Sequence, residues 1–147
     1  MHFVFESDFE VSAAKLFAFH ERPDAFALLQ PPWQTSRIIQ PPTSLAVGTK
    51  VVLETKLGPI WKRIVALHVA YEPGVMFADE MLEGPFASWH HEHRVTPLGE
   101  NRSRLTDDIT CTMPFGRLGA LVGEPIARAQ LRKLFAFRHE VTKKHLD

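Results

Sequence analysis

The chain opens with period-two alternation. In His2–Glu10 (HFVFESDFE), Phe3, Phe5 and Phe9 fall on one side, which predicts a half-buried strand. Ser12 then caps a short helix from Ala13 to about His20, with Leu16, Phe17 and His20 on one face. Pro23 breaks it, Asp24 opens a second short helix over Ala25–Leu29, and Pro31-Pro32 ends that one. From Trp33 the period returns to two. Strands are predicted over Thr35–Gln40, Lys50–Leu57, Ile60–Tyr71, Val75–Leu82, Ala87–Thr96 and Arg102–Met113, separated by Pro-Pro, Gly-Pro, Pro-Gly, Gly-Pro and Leu-Gly-Glu-Asn turn signals. Short turns of this kind join antiparallel neighbours.

Arg117 to about Lys144 carries a helical period, with Leu131, Leu134, Phe135 and Arg138 on one stripe and Arg128, Arg132 and Lys143 off it. Pro125, after Gly123-Glu124, predicts a short lead-in turn and then a long helix. A strand meander wet on one face must cover the other, and a single long helix is available to do so. The order β-α-α-β6-α defines an α+β domain with a seven-stranded antiparallel sheet and a long C-terminal helix, spanning residues 1–147 as one unit.

Composition narrows the function classes. Lys and Arg number 17 against 17 Asp and Glu, so no net field favours nucleic acid or an anionic membrane. The first ten residues lack the apolar run of a signal peptide, and no run approaches the ~18 residues of a membrane span. The lone Cys111 excludes an internal disulfide and suits a reducing compartment, so a cytoplasmic location is expected.

Strand register brings ionisable residues together. With Pro73-Gly74 at the centre of a hairpin, Glu72 pairs with Val75, Ala70 with Phe77 and His68 with Asp79. A three-residue loop Gly99-Glu100-Asn101 sets Leu98 against Arg102, Val95 against Leu105, His93 against Asp107 and His91 against Ile109. Trp89, His91, His93, Val95, Leu105, Ile109, Cys111 and Met113 then share a side with Asp107, while His90, Glu92, Arg94, Arg104 and Asp108 take the wet side. Asp79 shares its side with Phe77 and Met81, and His91 is able to oppose it. An inward polar patch of His68, Asp79, His91, His93 and Asp107 results. Burying such groups costs several kcal/mol unless they pair.

Several chemistries fit that patch. His91, His93 and Asp107 are the candidate acid–base residues, since an aspartate orients an imidazole and raises its basicity. No nucleophile–base–oxyanion set, G-x-S-x-G motif, P-loop or dinucleotide fingerprint is identifiable. The H-x-H pair His91/His93, with His68, Asp79, Asp107 and Cys111 nearby, has metal-ligand types. Each aspartate, however, sits opposite a histidine as its partner rather than as a co-ligand, so no metal and no cofactor are expected. Arg138 is either a carboxylate clamp or the partner of Asp107 or Asp79. His139 and His145 are expected in solvent, and Cys111 as a small buried hydrophobe.

Stretches along the whole chain resemble a known superfamily. They are Leu16–Pro23 (LFAFHERP), Pro31–Trp33 (PPW), Leu57–Pro59 (LGP), Tyr71–Gly74 (YEPG), Phe77–Glu80 (FADE), Gly84–Trp89 (GPFASW), His91–Val95 (HEHRV) and Phe135–His139 (FAFRH). They resemble the START-like SRPBCC superfamily, in a bacterial branch described as cyclase/dehydrase-like or ligand-binding. The resemblance implies a helix-grip fold, with a curved sheet wrapped round the C-terminal helix to enclose a ligand. It also implies an NAD-dependent epimerase-like partner protein for some members. Fold alone does not set function.

The combined expectation is binding of a small, largely hydrophobic molecule by its polar end. Its site would comprise His68, Phe77, Asp79, Met81, Trp89, His91, His93, Asp107, Ile109, Leu131, Phe135 and Arg138. Entry is expected between the short helices and the Gly84-Pro85 or Leu57–Pro59 loop. The alternatives are a cyclase or dehydratase-type lyase using the His–Asp pair, and an interaction module with a filled core and an exposed apolar patch. Turnover by the first alternative predicts a bell-shaped pH profile.

Overall fold

Alternating apolar and polar residues make strands whose apolar faces need one common cover, and the chain supplies it with three helices. The structure, a computed structural model, describes residues 1–146. In chain order the elements are β1 (His2–Phe9), α1 (Ala13–Glu21), α2 (Ala25–Leu28), β2 (Ser36–Gln40), β3 (Lys50–Leu57), β4 (Ile60–Glu72), β5 (Met76–Glu83), β6 (Ser88–Gly99), β7 (Arg102–Thr112) and α3 (Gly116–Leu146). The strands form one antiparallel sheet in the order β1-β7-β6-β5-β4-β3-β2. This is the expected α+β helix-grip architecture. Among the described residues, no helix is long and apolar enough to cross a membrane.

The register of β6 on β7 follows the turn argument: Val95 faces Leu105, His93 faces Asp107 and His91 faces Ile109. A bulge between Pro97 and Gly99 puts Gly99, not Leu98, opposite Arg102. Between β4 and β5 the turn is as expected, with the Val75 N–H donating to the Glu72 carbonyl at 3.0 Å and Gly74 at φ +77°. That φ belongs to the third turn position, where a side chain would be strained. Pairing nevertheless begins one residue out, with Glu72 opposite Met76 and Ala70 opposite Ala78 rather than Phe77. A bulge between His68 and Ala70 absorbs the extra residue, and His68 returns to Asp79.

The expected break at Pro125 does not occur, because α3 runs unbroken from Gly116. Proline deprives the Leu121 carbonyl of its helical donor. Leu121 is 75% exposed, so water can satisfy that carbonyl and the helix continues.

Two apolar clusters pack beneath the helices. Phe9, Val11, Leu16, Phe17, Leu45, Phe77, Val95 and Leu105 bind α1 to the sheet. Phe3, Ile109, Cys111, Leu131 and Phe135 bind the second half of α3. On β7, Asp107 lies between Leu105 of the first cluster and Ile109 of the second. The polar patch is thus a seam between two dry regions. Outside them, the first half of α3 leaves Leu118, Leu121, Val122 and Ile126 exposed.

Phe17 is 1% exposed and meets Phe77 edge-on at 6.2 Å. Phe17→Ala is expected to lower the unfolding free energy by about 3–5 kcal/mol. Leu118→Ala, at a 72% exposed position, should change it by no more than about 0.5 kcal/mol. Urea denaturation of the two variants checks the contrast.

Candidate functional site

Alternation on β5, β6 and β7 turns Asp79, His91, His93 and Asp107 inward, and α3 brings a histidine down onto them. Asp107 is 3% exposed, accepts hydrogen bonds from two imidazoles and stands in close charge contact with a third. Oδ1 takes His91 Nε2 at 2.7 Å and His93 Nδ1 at 2.9 Å. Oδ2 takes His139 Nε2 at 2.7 Å. Asp79 stands on the far side of the pair, its Oδ2 3.3 Å from His93 Nε2 and 3.8 Å from His91 Nδ1. The rings of His91 and His93 are 3.7 Å apart, and Phe77 stacks on His93 at 4.1 Å.

His139 corrects the sequence reading. It is 6% exposed rather than solvated, with Nδ1 2.7 Å from Ser7 Oγ. With a single ring proton on Nε2 facing the carboxylate, His139 Nδ1 accepts from the Ser7 hydroxyl. Two sequence signals carried this arrangement. His139 follows Leu131 and Phe135 at steps of four, and Ser7 alternates with Phe3, Phe5 and Phe9. His145 lies at the surface as expected.

Three further residues complete the surroundings. His20, on α1, donates Nδ1 to the Leu16 carbonyl at 3.1 Å and lies 6.5 Å ring to ring from His93. Arg138 donates Nε to the Leu29 carbonyl at 3.2 Å, with its guanidinium over Phe135. It makes no ion pair with Asp107 or Asp79 among the described residues, which removes the pairing role weighed for it. His68 is buried opposite Asp79 on β4 but makes no bond to it, and its Nδ1 has no hydrogen-bond partner among the described residues.

The charges follow from this geometry. Burial would lower the pKa of His93, but Asp107 and Asp79 on its two sides outweigh that and raise it to about 9. Burial would likewise raise Asp107, yet the His93 charge and the bonds from His139, His91 and His93 hold it well below the usual carboxylate range. Burial, reinforced by the His93 charge, pulls His20 down to about 4. His68 and His91 are also lowered, chiefly by burial. The centre of the cluster is therefore an ionised Asp107–His93–Asp79 line, with the lowered imidazoles of His91, His68 and His20 beside it.

Two spaces adjoin the cluster. A cavity of about 30 Å³, roughly one water in size, is lined by His20, His93, Asp107, Arg138 and His139 among others. An open groove of about 560 Å³ runs between β1 and α3 over Phe5, Ser7, Phe135 and His139, with Arg132 and Lys143 at its rim. Phe77, Met81, Trp89, Ile109 and Leu131 line neither space. Ile109 and Leu131 are packed within the α3 cluster, with Trp89 against it, and Phe77 belongs to the α1 cluster.

Removing Asp107 leaves His91, His93 and His139 without their shared carboxylate. Asp107→Ala is expected to destabilise the fold by about 3–5 kcal/mol in chemical denaturation. The pH dependence has a definite sign. His93 is raised in the folded state, so its contribution is complete below about 6.5 and lost as pH climbs through about 9. Unfolding free energy should fall across that interval in the wild type, and the fall should be smaller in His93→Gln.

Comparison with known proteins places this geometry in a wider setting. Three solved structures share the fold. TTHA0849 from Thermus thermophilus is 9% identical, with 99% of this chain and 97% of that one covered and a TM-score of 0.75. Norcoclaurine synthase from Thalictrum flavum is 15% identical over 100% and 87%, with a TM-score of 0.73. A nucleoside-diphosphate sugar epimerase from Corynebacterium glutamicum is 20% identical over 97% of this chain but 28% of its own, with a TM-score of 0.73. They share the helix-grip fold that the resemblance implied. No curated protein matches the sequence. One family model matches residues 65–146, a span that contains every member of the polar cluster except Ser7 and His20. With more than half of the chain matched, the protein belongs to the family described as a domain of unknown function, DUF8410.

Proposed function

We propose that the protein binds a small, largely apolar molecule along the groove between β1 and α3, with the molecule's polar end at Ser7 and His139. The groove carries this reading. Its ~560 Å³ lies in the size range of small-molecule sites. Phe5 and Phe135, stacked at 4.9 Å, offer an apolar floor beside one polar point. Arg132 and Lys143 at the rim favour an acidic group. The inner cavity has room for about one water and cannot take the body of such a ligand. Entry therefore follows the β1 edge instead of the Gly84-Pro85 or Leu57–Pro59 loop. The fold is compatible with small aromatic guests, since one norcoclaurine synthase structure is a complex with dopamine and hydroxybenzaldehyde.

One observation favours a second reading, acid–base catalysis on the bound molecule. His139 holds the buried Asp107 on Nε2 and receives the Ser7 hydroxyl on Nδ1, so a base oriented by a carboxylate reaches the groove floor. This fits the resemblance to cyclase/dehydrase-like members and moves the base from His91 or His93 to His139. The epimerase that contains this fold within a longer chain also supports an epimerase-like partner protein.

Ala136 is exposed along the groove, where an indole would occupy the ligand's place. Ala136→Trp is expected to weaken binding of a dansyl-labelled fatty acid at least 10-fold while leaving thermal unfolding unchanged. Native mass spectrometry of the wild type should show a released organic mass or the added probe. A wild type that takes up neither, or an Ala136→Trp variant that binds as well as the parent, would sink the proposal. For the catalytic reading, the Ser7–His139 contact lets His139 take the Ser7 hydroxyl proton, so Ser7 reports on the base: an alkyl fluorophosphonate should label it, the Ser7 oxygen bonding to phosphorus as fluoride leaves. His139→Gln should abolish the labelling. Unlabelled wild-type protein would leave the binding function without the chemistry.

A further inference from the structure

Asp107 Oδ1 serves two histidines at once, and this changes what Asp79 is free to do. The sequence argument against a metal rested on each aspartate partnering one histidine. In the fold, Asp107 Oδ1 takes the second nitrogens of both, His91 Nε2 at 2.7 Å and His93 Nδ1 at 2.9 Å. The remaining nitrogens, His91 Nδ1 and His93 Nε2, both face Asp79 Oδ2. We propose that Asp79, His91 and His93 bind a divalent first-row transition ion, with zinc as the reference ion and Asp107 as the residue that positions both imidazoles.

Distances separate this trio from an ordinary hydrogen-bonded network. The contacts around Asp107 are 2.7–2.9 Å, as expected for charge-assisted pairs. Around Asp79 they are 3.3 and 3.8 Å, the second beyond any hydrogen bond. Ligands at about 2.0–2.1 Å from a tetrahedral zinc lie roughly 3.3–3.4 Å from one another. One ligating atom from each of the three residues already falls within 4.8 Å of the others, so closing any pair to that separation takes no more than about 1.5 Å.

The chemistry of the donors agrees. Metal-bound imidazoles characteristically pass their second N–H to a carboxylate, which fixes the ring and raises its basicity. Here one buried carboxylate does this for both rings. Two imidazoles and one carboxylate suit zinc, cobalt or ferrous iron rather than magnesium or calcium. Three protein ligands leave a coordination position open, as in metal sites that act on substrates. The ion displaces the proton that His93 carries on Nε2, and the two aspartates then balance its double charge. Beside the trio, His68 contributes a buried imidazole with an unpartnered Nδ1. Side chains of Asp79 and His93 are each 16% exposed, so the site is not sealed. This inference stands independently of the groove ligand.

The test uses tag-free, full-length protein stripped with a chelator and titrated at fixed pH with Co²⁺ and Zn²⁺, read by calorimetry and visible absorption. The wild type is expected to take one ion per chain, to show cobalt d–d bands displaced by zinc, and to melt higher with zinc in excess. Asp79→Asn should lose binding at least 10-fold and show no zinc-dependent rise in Tm. Asp107→Asn should weaken it about 10–100-fold without removing a ligand atom. Circular dichroism confirms that each variant is folded, and Asp79→Asn, at the partly exposed position, is the variant expected to keep the fold. Absence of stoichiometric uptake by the wild type overturns the proposal. So does uptake that survives unchanged in Asp79→Asn, which would place the ion on surface histidines such as His2 or His90.

Discussion

A single buried carboxylate organises the interior of this protein. Asp107 sits on β7 between Leu105 and Ile109, where the two apolar clusters meet. An isolated charge at that depth costs several kcal/mol. Three imidazoles supply the compensation, two from β6 and one from α3. The consequences are geometric as well as energetic. The β6–β7 register must place His93 opposite Asp107, and α3 must enter at the phase that lowers His139 onto Oδ2. A one-residue slip of either element would leave the charge unpaired and turn the apolar set outward. Apolar burial supplies the driving force for the fold, and Asp107 selects among the ways of achieving it.

Much of this was legible in the sequence. Period-two alternation with short Pro/Gly turns yielded all seven strands in order, and turn chemistry yielded the pairings of His93 with Asp107 and His68 with Asp79. The second pairing survives only because a bulge between His68 and Ala70 cancels the offset at the turn. A bulge leaves no mark in the hydrophobic pattern when the residues around it are all apolar, as in Val69-Ala70-Tyr71. His139 went unread for a different reason. Its spacing from Phe135 and Leu131 put it on the buried stripe, but a histidine is assigned to water unless a partner is in view. That partner is 32 residues away in sequence. Ser7 was missed on the same ground, since a small hydroxyl among phenylalanines has no signature until its acceptor is known. Side-chain networks that join distant elements are visible only after the elements are docked.

Placement of the free volume was the least legible feature. An aromatic-rich inward face reads equally well as cavity wall or as packed core, because both need the same residues at the same period. Here Phe77, Ile109 and Leu131 chose the core, packing among Phe9, Phe17, Phe3 and Phe135. The space left over lies at the sheet edge, where β1 ends the ladder and α3 crosses it. Phe135 and His139 line both that groove and the small inner cavity. These two helix residues are therefore the partition between solvent-side space and the buried charges.

That partition bears on why the cluster is ionic at all. Buried ion pairs seldom stabilise a fold more than well-packed apolar residues of the same volume. Leucine and phenylalanine could have filled the seam between two clusters already rich in both. Instead the chain retains two carboxylates, a cationic His93, four further imidazoles and the half-buried Arg138. Stability alone gives no reason for Arg138 to end on a backbone carbonyl, or for a His68 nitrogen to be buried without a partner. Groups left short of partners in an otherwise satisfied interior are the ones poised to meet something from outside. Asp107 connects both possible points of contact. Its Oδ2 reaches the groove through His139, while its Oδ1 fixes the two rings whose other nitrogens converge on Asp79. A change at either oxygen alters the charge that the other presents, so the groove and the inner trio share one electrostatic centre.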